Sequence, residues 1–558
     1  MPETQDLTLP RPALAMTAES GELRKPEKSP VDLLLACAMA LVAALWVMPL
    51  VSYIGGADEG ITLQGAIRIL GGELPYRDFF SFYTPGTYYI HAAVFRIFGT
   101  SLLAARMTLV VYSALYGFLT YLLARRVCSR SASLLAAGLV TLISLPARFA
   151  VVHNWDSTTA ALAALYCAVW LLETSATPWA FLCGLFAGTT LMIEQSKGAG
   201  LLLGLTISGI LLVWMDRQRW KLRHLVFFLI GVAMPCLLVI GYFARQHALF
   251  PMLAAWAWPF QHYSAVNKLP YGYLIWNPGL REVLRSGSLS VRVVTLISVS
   301  PMILIACLPL LVVALWFAVL VRVLLKKSER TPLVAFIVLT GSVVSSSLLA
   351  MVATGRPDFF RLIYLTPLFF PLVPMLFDSR LVWMPSLAKL QPVLAVLLLI
   401  SFSLCDLVVT WSARQHVSTV ISRRGIIHSN EVEELLPYMQ AHIAPGARIL
   451  IYPYMPNYYF LTGTYSATRF EYLQVAMHTR AQFEAAITEV RRDKTPVVIF
   501  DLSFRDLVAQ AWPATPAEAL ANDPMGDFVF SHYHACKTLL SARRPFEYMV
   551  RNGLVCPQ

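Results

Sequence analysis

The chain has 558 residues, of which 57% are hydrophobic and 14% are charged, with a formal net charge of +12. Soluble globular proteins carry roughly 25% charged residues, so this composition excludes a soluble globular protein. Ordinary glycine and proline counts, 29 and 34, exclude collagen-like and disordered chains. The positive charge is spread over residues 31–411 without a concentrated basic face, so no nucleic-acid partner is expected. We therefore predict a polytopic α-helical membrane protein.

Residues 1–30 are polar, and we expect them to form a disordered cytoplasmic tail. The first apolar segment follows this tail without a small-residue cleavage site, which is typical of an uncleaved anchor. A helix needs about 20 apolar residues to cross a bilayer, and eleven segments qualify. They are residues 31–54, 101–124, 131–147, 157–173, 179–196, 198–215, 224–243, 293–321, 332–353, 361–377 and 391–411.

Basic residues cluster in alternate connections between these segments. The clusters are Arg125, Arg126 and Arg130; Arg217, Arg219, Lys221 and Arg223; Arg322, Lys326, Lys327 and Arg330; and Arg380. Such clusters mark the cytoplasmic side of a membrane, so we expect a cytoplasmic amino terminus. Residues 31–411 then form the membrane domain, with a first outer loop at about 55–100, and residues 412–558 lie on the extracytoplasmic side.

Residues 412–558 alternate helical and strand patterns, which predicts a small α/β domain. The helical runs are 430–442, with Asn430 as the expected cap, and 479–493; the strand-like runs are 448–452 and 496–500. The two cysteines of this domain, Cys536 and Cys556, either form a disulfide or remain free thiols. No cysteine and histidine spacing indicates zinc.

A pair of carboxylates, Asp58 and Glu59, follows the first apolar segment directly. Charged residues near membrane depth are expensive and are therefore candidates for function. A carboxylate here is suited to accept a proton from a hydroxyl group, and two of them permit a divalent cation without requiring one. The alternative interpretation is a helix start, with Asp58 as cap and Glu59 favoured by the helix dipole.

The motifs around this pair follow a recognisable order. They are Ala57-Asp-Glu-Gly60, Gly71-Gly-Glu-Leu-Pro-Tyr-Arg-Asp-Phe-Phe80, Tyr83-Thr-Pro-Gly86, Phe98-Gly99 and Ala105-Arg106. This order resembles the amino-terminal region of the GT-C class of glycosyltransferases, over roughly residues 31–200. Within that class it is closest to the bacterial branch that includes protein mannosyltransferases, the lipid A aminoarabinose transferase and the rhizobial core glycosyltransferases.

The resemblance implies roles for three acidic residues. Asp58 matches the acidic residue of the first outer loop, which implies a general base or a carboxylate that positions the acceptor. Glu59 is implied to assist it through hydrogen bonding or cation binding. Asp156, in His153-Asn-Trp-Asp156, matches a second acid of the class. The alternative for Asp156 is a helix cap for the fourth span.

Further residues are candidates for binding the donor. Lys197 matches a lysine at the outer end of the fifth span, where it would either contact the carrier phosphate or snorkel. Arg356 lies at the outer end of the ninth span, and its guanidinium suits a phosphate, although an interfacial arginine is the alternative. Arg77 and Asp78 either pair with each other or place Arg77 near the donor. Tyr83 belongs to the matching motifs.

Two groups of aromatic residues have alternative interpretations. Trp256, Trp258, Tyr263, Tyr271, Tyr273 and Trp276 form an aromatic-rich loop, for which an interfacial belt is favoured over stacking on sugar. Tyr454, Tyr458 and Tyr459 either face the catalytic cavity or form the core of the small domain.

These features together predict an enzyme. The resemblance implies a transferase that moves a sugar from a polyprenyl-phosphate donor to a lipid, glycan or protein acceptor on the extracytoplasmic face of a bacterial inner membrane, whose lipids surround the protein. A single displacement with one base would invert the anomeric centre. A transporter of lipid-linked sugars or a non-catalytic glycan-binding scaffold is the alternative. Transport is disfavoured because no inverted halves are evident. No cofactor is required by the sequence, because no phosphate loop or dinucleotide motif is present.

Overall fold

The computed structural model describes residues 23–54, 56–263, 266–273, 278–325, 331–377 and 391–557. Several residues of the sequence analysis lie outside these ranges. They are residues 1–22 of the expected tail, Trp276, and the basic residues Lys326, Lys327, Arg330 and Arg380.

The membrane domain is helical, as predicted. Its helices are α1 (Pro30–Val47), α2 (Asp58–Leu70), α3 (Gly86–Phe98), α4 (Leu102–Arg125), α5 (Arg130–Ile143), α6 (His153–Thr174), α7 (Thr177–Ile193), α8 (Gln195–Met215), α9 (Leu222–Arg245), α10 (Leu249–Trp258), α11 (Pro278–Ser286), α12 (Leu289–Leu324), α13 (Pro332–Ala353), α14 (Phe359–Leu362), α15 (Thr366–Phe369) and α16 (Gln391–Arg414). Short 3₁₀ segments at Pro146–Arg148, Ile363–Leu365 and Phe370–Phe377 complete the spans.

Ten segments of the described chain are long and apolar enough to cross a membrane. The helix α7, with 17 residues, is apolar but shorter, and it occupies the place of the fifth predicted span. The chain is therefore a polytopic α-helical membrane protein with spans at the predicted positions.

Close helix packing explains the glycines of the spans. A Cβ at Gly184 of α7 would lie 2.1 Å from the carbonyl oxygen of Phe228 in α9, and one at Gly231 of α9 would lie 2.2 Å from that of Phe181. Without these side chains the two backbones approach each other closely, which is a common way to associate helices in lipid.

Part of the expected amino-terminal tail is ordered. The backbone N–H of Arg24 donates to the carbonyl of Arg126 at 3.0 Å, and a 3₁₀ turn follows at Pro26–Lys28. The buried guanidinium of Arg126 pairs with Glu27 at 2.6 Å and with Glu173 at 2.7 Å. A buried charge requires partners, so Arg126 holds the end of the tail against the membrane domain.

The carboxy-terminal domain begins after Arg414 and is α/β, as predicted. Its strands are β1 (Ser418–Ser422), β2 (Gly425–Ser429), β3 (Arg448–Tyr452), β4 (Tyr465–Ser466), β5 (Val497–Asp501), β6 (Tyr533–Ser541) and β7 (Arg544–Arg551). Its helices are α17 (Leu435–His442), α18 (Asn457–Thr462), α19 (Arg480–Arg492), α20 (Phe504–Ala511), α21 (Ala517–Ala521) and α22 (Pro524–His532). β1 and β2 form a hairpin, and the other strands form one sheet in the order β4-β3-β5-β7-β6.

The sheet is mixed in direction. β3 runs parallel to β4 and β5, whereas β7 runs antiparallel to β5 and β6. Cys536 and Cys556, whose pairing the sequence left open, form a disulfide between β6 and the residues after β7.

One predicted boundary is wrong. The helix expected at 430–442 begins at Leu435, and Asn430 is not its cap. Instead, the Asn430 side chain accepts a hydrogen bond from the Tyr53 hydroxyl at 2.9 Å, while the Glu433 carboxylate accepts the N–H of Leu436 at 2.9 Å. A contact with the membrane domain therefore takes Asn430 away from the local role that its sequence position indicates.

The carboxy-terminal domain is docked on the first outer loop. Gln64 of α2 donates to the carbonyl of Thr464 at 3.1 Å, and buried Arg68 pairs with Glu471 at 2.7 Å. A Cβ at Gly60 would lie 2.0 Å from the backbone nitrogen of Asn457 in α18. This contact fixes the amino-terminal end of α2 against the domain.

Candidate active site

A cavity of about 330 Å³ lies between the membrane domain and the carboxy-terminal domain. The membrane domain forms one side of its wall. This side consists of the amino-terminal end of α2, the residues before and at the start of α6, and the segment before α14. The carboxy-terminal domain supplies the opposite side. The charged side chains that line it are Asp58, Arg148, Arg356, Asp358, Arg361 and Arg544.

Asp58 is the first residue of α2, and its carboxylate opens into this cavity with 39% of the side chain exposed. One carboxylate oxygen pairs with Arg148, and the other accepts the Tyr454 hydroxyl. Burial acts to raise the pKa of Asp58, but Arg148 and the Tyr454 hydroxyl outweigh it, so the pKa lies below its ordinary value. Asp58 is therefore ionised at neutral pH.

Three further arginines surround the cavity, and they differ in the ion pairs that they form. Arg356 pairs with Asp358 at 2.9 Å and donates to Asn267 at 2.9 Å. Arg544 pairs with Asp501. Arg361 donates to the side-chain oxygen of Asn154 at 3.2 Å, and within the described ranges it has no ion pair. Arg361 thus leaves a positive charge available for an anionic ligand.

A second, narrower cavity of about 130 Å³ adjoins the first. The residues that line both cavities are Tyr83, His153, Asn154, Tyr263, Arg356 and Arg361. The remaining wall of the narrow cavity includes the apolar side chains of Trp256, Phe260, Met351 and Leu365. Arg356 and Arg361 therefore stand where an apolar cleft meets a polar cavity.

Lys197 lines the narrow cavity, but its ammonium group forms its hydrogen bonds with other residues of the protein. Its ammonium group donates to the carbonyl of Asn154, to Ser157 and to Thr158, each at 2.8 Å, and it pairs with Glu194 at 3.1 Å. An ammonium has three donors, so Lys197 supports the turn at Asn154 more directly than it serves a phosphate.

Glu59 does not face the cavity, contrary to the sequence-based expectation of an assisting carboxylate. It is 3% exposed and accepts from Arg106 at 2.6 and 3.0 Å and from the N–H of Val151 at 3.1 Å. Since adjacent helical residues point in different directions, Asp58 and Glu59 reach different surroundings. These contacts hold α2 against α4.

Asp156 is also separated from the cavity. It lies buried within the first turn of α6, where it accepts from Thr87 at 2.5 Å and from Tyr112 at 2.8 Å, and His91 lies 3.3 Å away. It lines neither cavity. Asp156 joins α3, α4 and α6, and it does not meet Asp58 as the catalytic interpretation requires.

Arg77 and Asp78 pair with each other at the surface, as one of the two interpretations states. Their atoms lie 2.8 and 2.9 Å apart, and the side chains are 47% and 31% exposed. Neither lines either cavity. Tyr83, by contrast, lines both cavities, with its ring 4.1 Å from that of His153.

The aromatic groups of the sequence divide between the site and the core. Trp256 and Tyr263 line the narrow cavity, whereas Tyr271 donates to the carbonyl of Ala306 elsewhere. Tyr454 lines the cavity into which Asp58 opens. Tyr458 bonds Glu433 and Ser541, and Tyr459 accepts the N–H of Ile451, so both belong to the core of the domain.

The sequence analysis missed the roles of Arg148, Arg361 and Gln474. Arg148 stands alone after the third span and Arg361 opens the tenth, and a lone cation at membrane depth is a usable signal. Gln474 carries no such signal. It is fully buried in the cavity wall, and both of its side-chain polar atoms lack a partner within the described chain.

A metal site at Asp58 and Glu59 receives no support from the geometry, because the two carboxylates face different surroundings. In the part of the chain that the structure describes, one group of three suitable ligands comes together: His534, Cys536 and Cys556. Its two sulfurs form the disulfide.

Comparisons with known proteins agree with this architecture. The sequence model of the dolichyl-phosphate-mannose-protein mannosyltransferase family matches residues 83–243. No curated protein matches the sequence.

Solved structures are similar over most of the chain. ArnT from Cupriavidus metallidurans bound to undecaprenyl phosphate has a TM-score of 0.52 at 12% identity, covering 95% of this chain and 100% of ArnT. The Archaeoglobus fulgidus oligosaccharyltransferase in complex with zinc and sulfate has a TM-score of 0.52 at 12% identity, covering 91% and 72%. The archaeal oligosaccharyltransferase AglB from Archaeoglobus fulgidus, in complex with an inhibitory peptide and a dolichol-phosphate, has a TM-score of 0.51 at 11% identity, covering 93% of this chain and 74% of AglB. The chain therefore has the GT-C membrane fold.

Proposed function

We propose that this protein is a glycosyltransferase that moves a sugar from a polyprenyl-phosphate donor to a hydroxyl-bearing acceptor on the extracytoplasmic face of a bacterial inner membrane. The observation that carries the proposal is the position of Asp58. Its ionised carboxylate faces a polar cavity that meets an apolar cleft at Arg356 and Arg361.

The junction suits a lipid-linked donor. An isoprenoid chain requires an apolar cleft, and the wall of Trp256, Phe260 and Met351 supplies one. Guanidinium groups bind phosphate through a fork of charged donors, and Arg361 has no ion pair in the described chain. The similar structures contain undecaprenyl phosphate and a dolichol-phosphate, which supports the same class of donor here.

The polar cavity suits the acceptor and the transferred sugar. The acceptor hydroxyl would lie beside Asp58, which positions it or takes its proton as the new bond to the anomeric carbon forms. The bond between that carbon and the carrier phosphate oxygen breaks at the same time. Arg356 and Arg361 stabilise the negative charge of the departing phosphate. A single displacement of this kind inverts the anomeric centre.

The Asp58→Asn variant tests the proposal. Full-length protein in proteoliposomes is incubated with radiolabelled undecaprenyl-phosphate sugars and an envelope lipid and glycan extract. We expect wild-type transfer to fall by about 10²–10⁴-fold in Asp58→Asn, the range for loss of a general base. The matched control is Asp78→Asn, which changes an aspartate of the same loop outside both cavities and should keep wild-type transfer.

Two results would contradict this function. Unchanged transfer by Asp58→Asn at equal protein level would remove the assignment of Asp58. Movement of labelled lipid across the bilayer by the wild type, without sugar transfer to any acceptor, would instead indicate a transporter.

A further inference from the structure

A separate cavity of about 240 Å³ lies within the carboxy-terminal domain. It opens at the carboxyl ends of the parallel strands β3 and β5, where Tyr452, Asp501 and Leu502 form part of its wall. In open α/β sheets, ligands bind in the crevice beyond the carboxyl ends of parallel strands. The place of this cavity in the sheet is therefore that of a ligand site.

The wall combines aromatic rings with carboxylates. Phe500, Phe504 and Phe530 line the cavity, and the Phe530 ring is 56% exposed at its rim. Flat apolar rings beside a few polar groups are the usual lining of small-ligand pockets. Such rings pack against the C–H faces of a sugar ring, while carboxylates accept hydrogen bonds from its hydroxyl groups.

The charged groups of the wall differ in whether they already have hydrogen-bond or ion-pair partners. Asp501 is paired with Arg544, and Asp523 accepts the Tyr452 hydroxyl and the N–H of Gly526. The side chains of Asp527 and Arg505, in contrast, make no hydrogen bond or ion pair with the described residues. One carboxylate and one guanidinium are thus left to bind a ligand.

This cavity, the domain cavity, lies next to the larger cavity into which Asp58 opens, the catalytic cavity of the proposed function. The Phe504 ring stacks on that of Tyr454, with centroids 6.2 Å apart, and the Tyr454 hydroxyl bonds Asp58. Asp501 lines the domain cavity, whereas its partner Arg544 lines the catalytic cavity. Among the described residues the two cavities have no lining residue in common, so this layer of side chains lies between them.

We propose that the domain cavity is a second binding site for a neutral or amino-bearing sugar unit of an acceptor glycan. This inference rests on the proposed glycosyltransferase function and assigns the class of acceptor. Arg544 neutralises Asp501, which leaves two carboxylates, Asp523 and Asp527, against one cation, Arg505. The remaining charge is negative, so an anionic sugar such as a uronate is disfavoured. The site would hold one sugar unit of the acceptor glycan on the domain that forms one side of the cavity of Asp58.

The test is saturation-transfer NMR on the full-length protein in detergent, with methyl β-glucopyranoside, glucosamine and glucuronate as probes. We expect the first two to bind and glucuronate not to bind. Asp527→Asn and Phe530→Ala should each weaken binding by about tenfold, the effect of losing a hydrogen bond to a charged group or an aromatic contact. Both side chains are exposed, so neither change threatens folding.

Asp493→Asn is the matched control, because Asp493 lies on the surface of the same domain outside the cavity, paired with Arg492. It should bind like the wild type. Equal binding by the wild type and both cavity variants would overturn the proposal, and so would binding of glucuronate alone. Binding of spermidine without binding of either sugar would overturn it too, since the cavity would then be a general cation site.

The measurement separates this inference from the proposed function. It requires neither donor nor transfer, so sugar binding can fail while the Asp58 assignment holds. In the transfer assay, Asp527→Asn should raise the KM for a glycan acceptor about tenfold with kcat unchanged.

Discussion

Asp58 is held in its ionised form by two neighbours from distant parts of the chain, Arg148 and Tyr454. Its position after the first span could be predicted from sequence. Its partners could not, because one comes from the third span and the other from the carboxy-terminal domain. The same limit applies to Glu59, since only packing shows that the neighbouring carboxylate turns to Arg106.

The ionisation of Asp58 predicts how transfer depends on pH. Burial acts to raise the pKa of Asp58, yet Arg148 and the Tyr454 hydroxyl lower it below the ordinary 3.8. Because the pKa of Asp58 is lowered, its carboxylate stays charged as the pH falls. The stability that this pairing contributes is lost only when the pH falls below 3.8. We therefore expect kcat/KM to show no acidic limb from Asp58 above about pH 5.

This dependence is measured as kcat/KM for sugar transfer between pH 4.5 and 8. Asp78→Asn, which leaves the cavity untouched, controls for general effects of pH on the membrane assay. An acidic limb centred near pH 6 that disappears in Asp58→Asn would show that the Asp58 carboxylate is protonated far more easily than its surroundings imply.

Glu59 and Arg106 should act as a structural pair. Removing one partner of a buried ion pair leaves an uncompensated charge and costs about 3–5 kcal/mol. We expect Glu59→Leu and Arg106→Leu each to lower the thermal unfolding temperature of the purified protein, and the double variant to recover part of the loss.

Thermal unfolding followed by intrinsic fluorescence measures these effects, with Arg480→Leu as a control because Arg480 forms an exposed pair, 83% exposed. A Glu59→Leu variant as stable as the wild type but without transfer activity would restore the catalytic interpretation of Glu59.

At the scale of elements, α2 is the part that positions the site. It begins at Asp58, contacts α18 at Gly60 and joins the carboxy-terminal domain through Gln64 and Arg68. The sequence predicts the helix start at this point but not its contact with residues 400 positions later. Short-range patterns likewise predicted α19, whose Thr479 and Gln482 form a capping box. They also predicted α17 but placed its start too early, because contacts from elsewhere replaced the expected cap.

Gly60→Ala tests whether α2 must lie against α18. The new Cβ would lie 2.0 Å from the backbone nitrogen of Asn457, and backbone atoms cannot move aside as a flexible side chain can. We expect α2 to shift and transfer to fall by about 10²-fold, because small displacements of a catalytic group are costly.

The matched control is Gly138→Ala in α5, where the added Cβ meets nothing within 4 Å. It should retain wild-type transfer and stability. Normal transfer by Gly60→Ala, with protein levels matched, would mean that the contact between α2 and α18 does not position Asp58.

At the scale of the whole molecule, the composition and the spacing of apolar segments were enough to predict the helical membrane domain. The alternation of helical and strand patterns predicted the α/β domain that follows it. The two cavities were not predictable in this way. The cavity of Asp58 forms where the first outer loop, the segment before α14 and the carboxy-terminal domain meet, whereas the lining residues of the smaller cavity all belong to the membrane domain. No local pattern predicts how these parts pack together.

The carrier phosphate gives the most direct test of the account. Electron cryomicroscopy of the full-length protein in nanodiscs with undecaprenyl phosphate would locate it. We predict the phosphate within hydrogen-bonding distance of Arg356 and Arg361, with the isoprenoid chain in the cleft beside Phe260 and with Asp58 facing the same cavity. A phosphate bound beside Arg77, or anywhere that the cavity of Asp58 does not reach, would contradict the account.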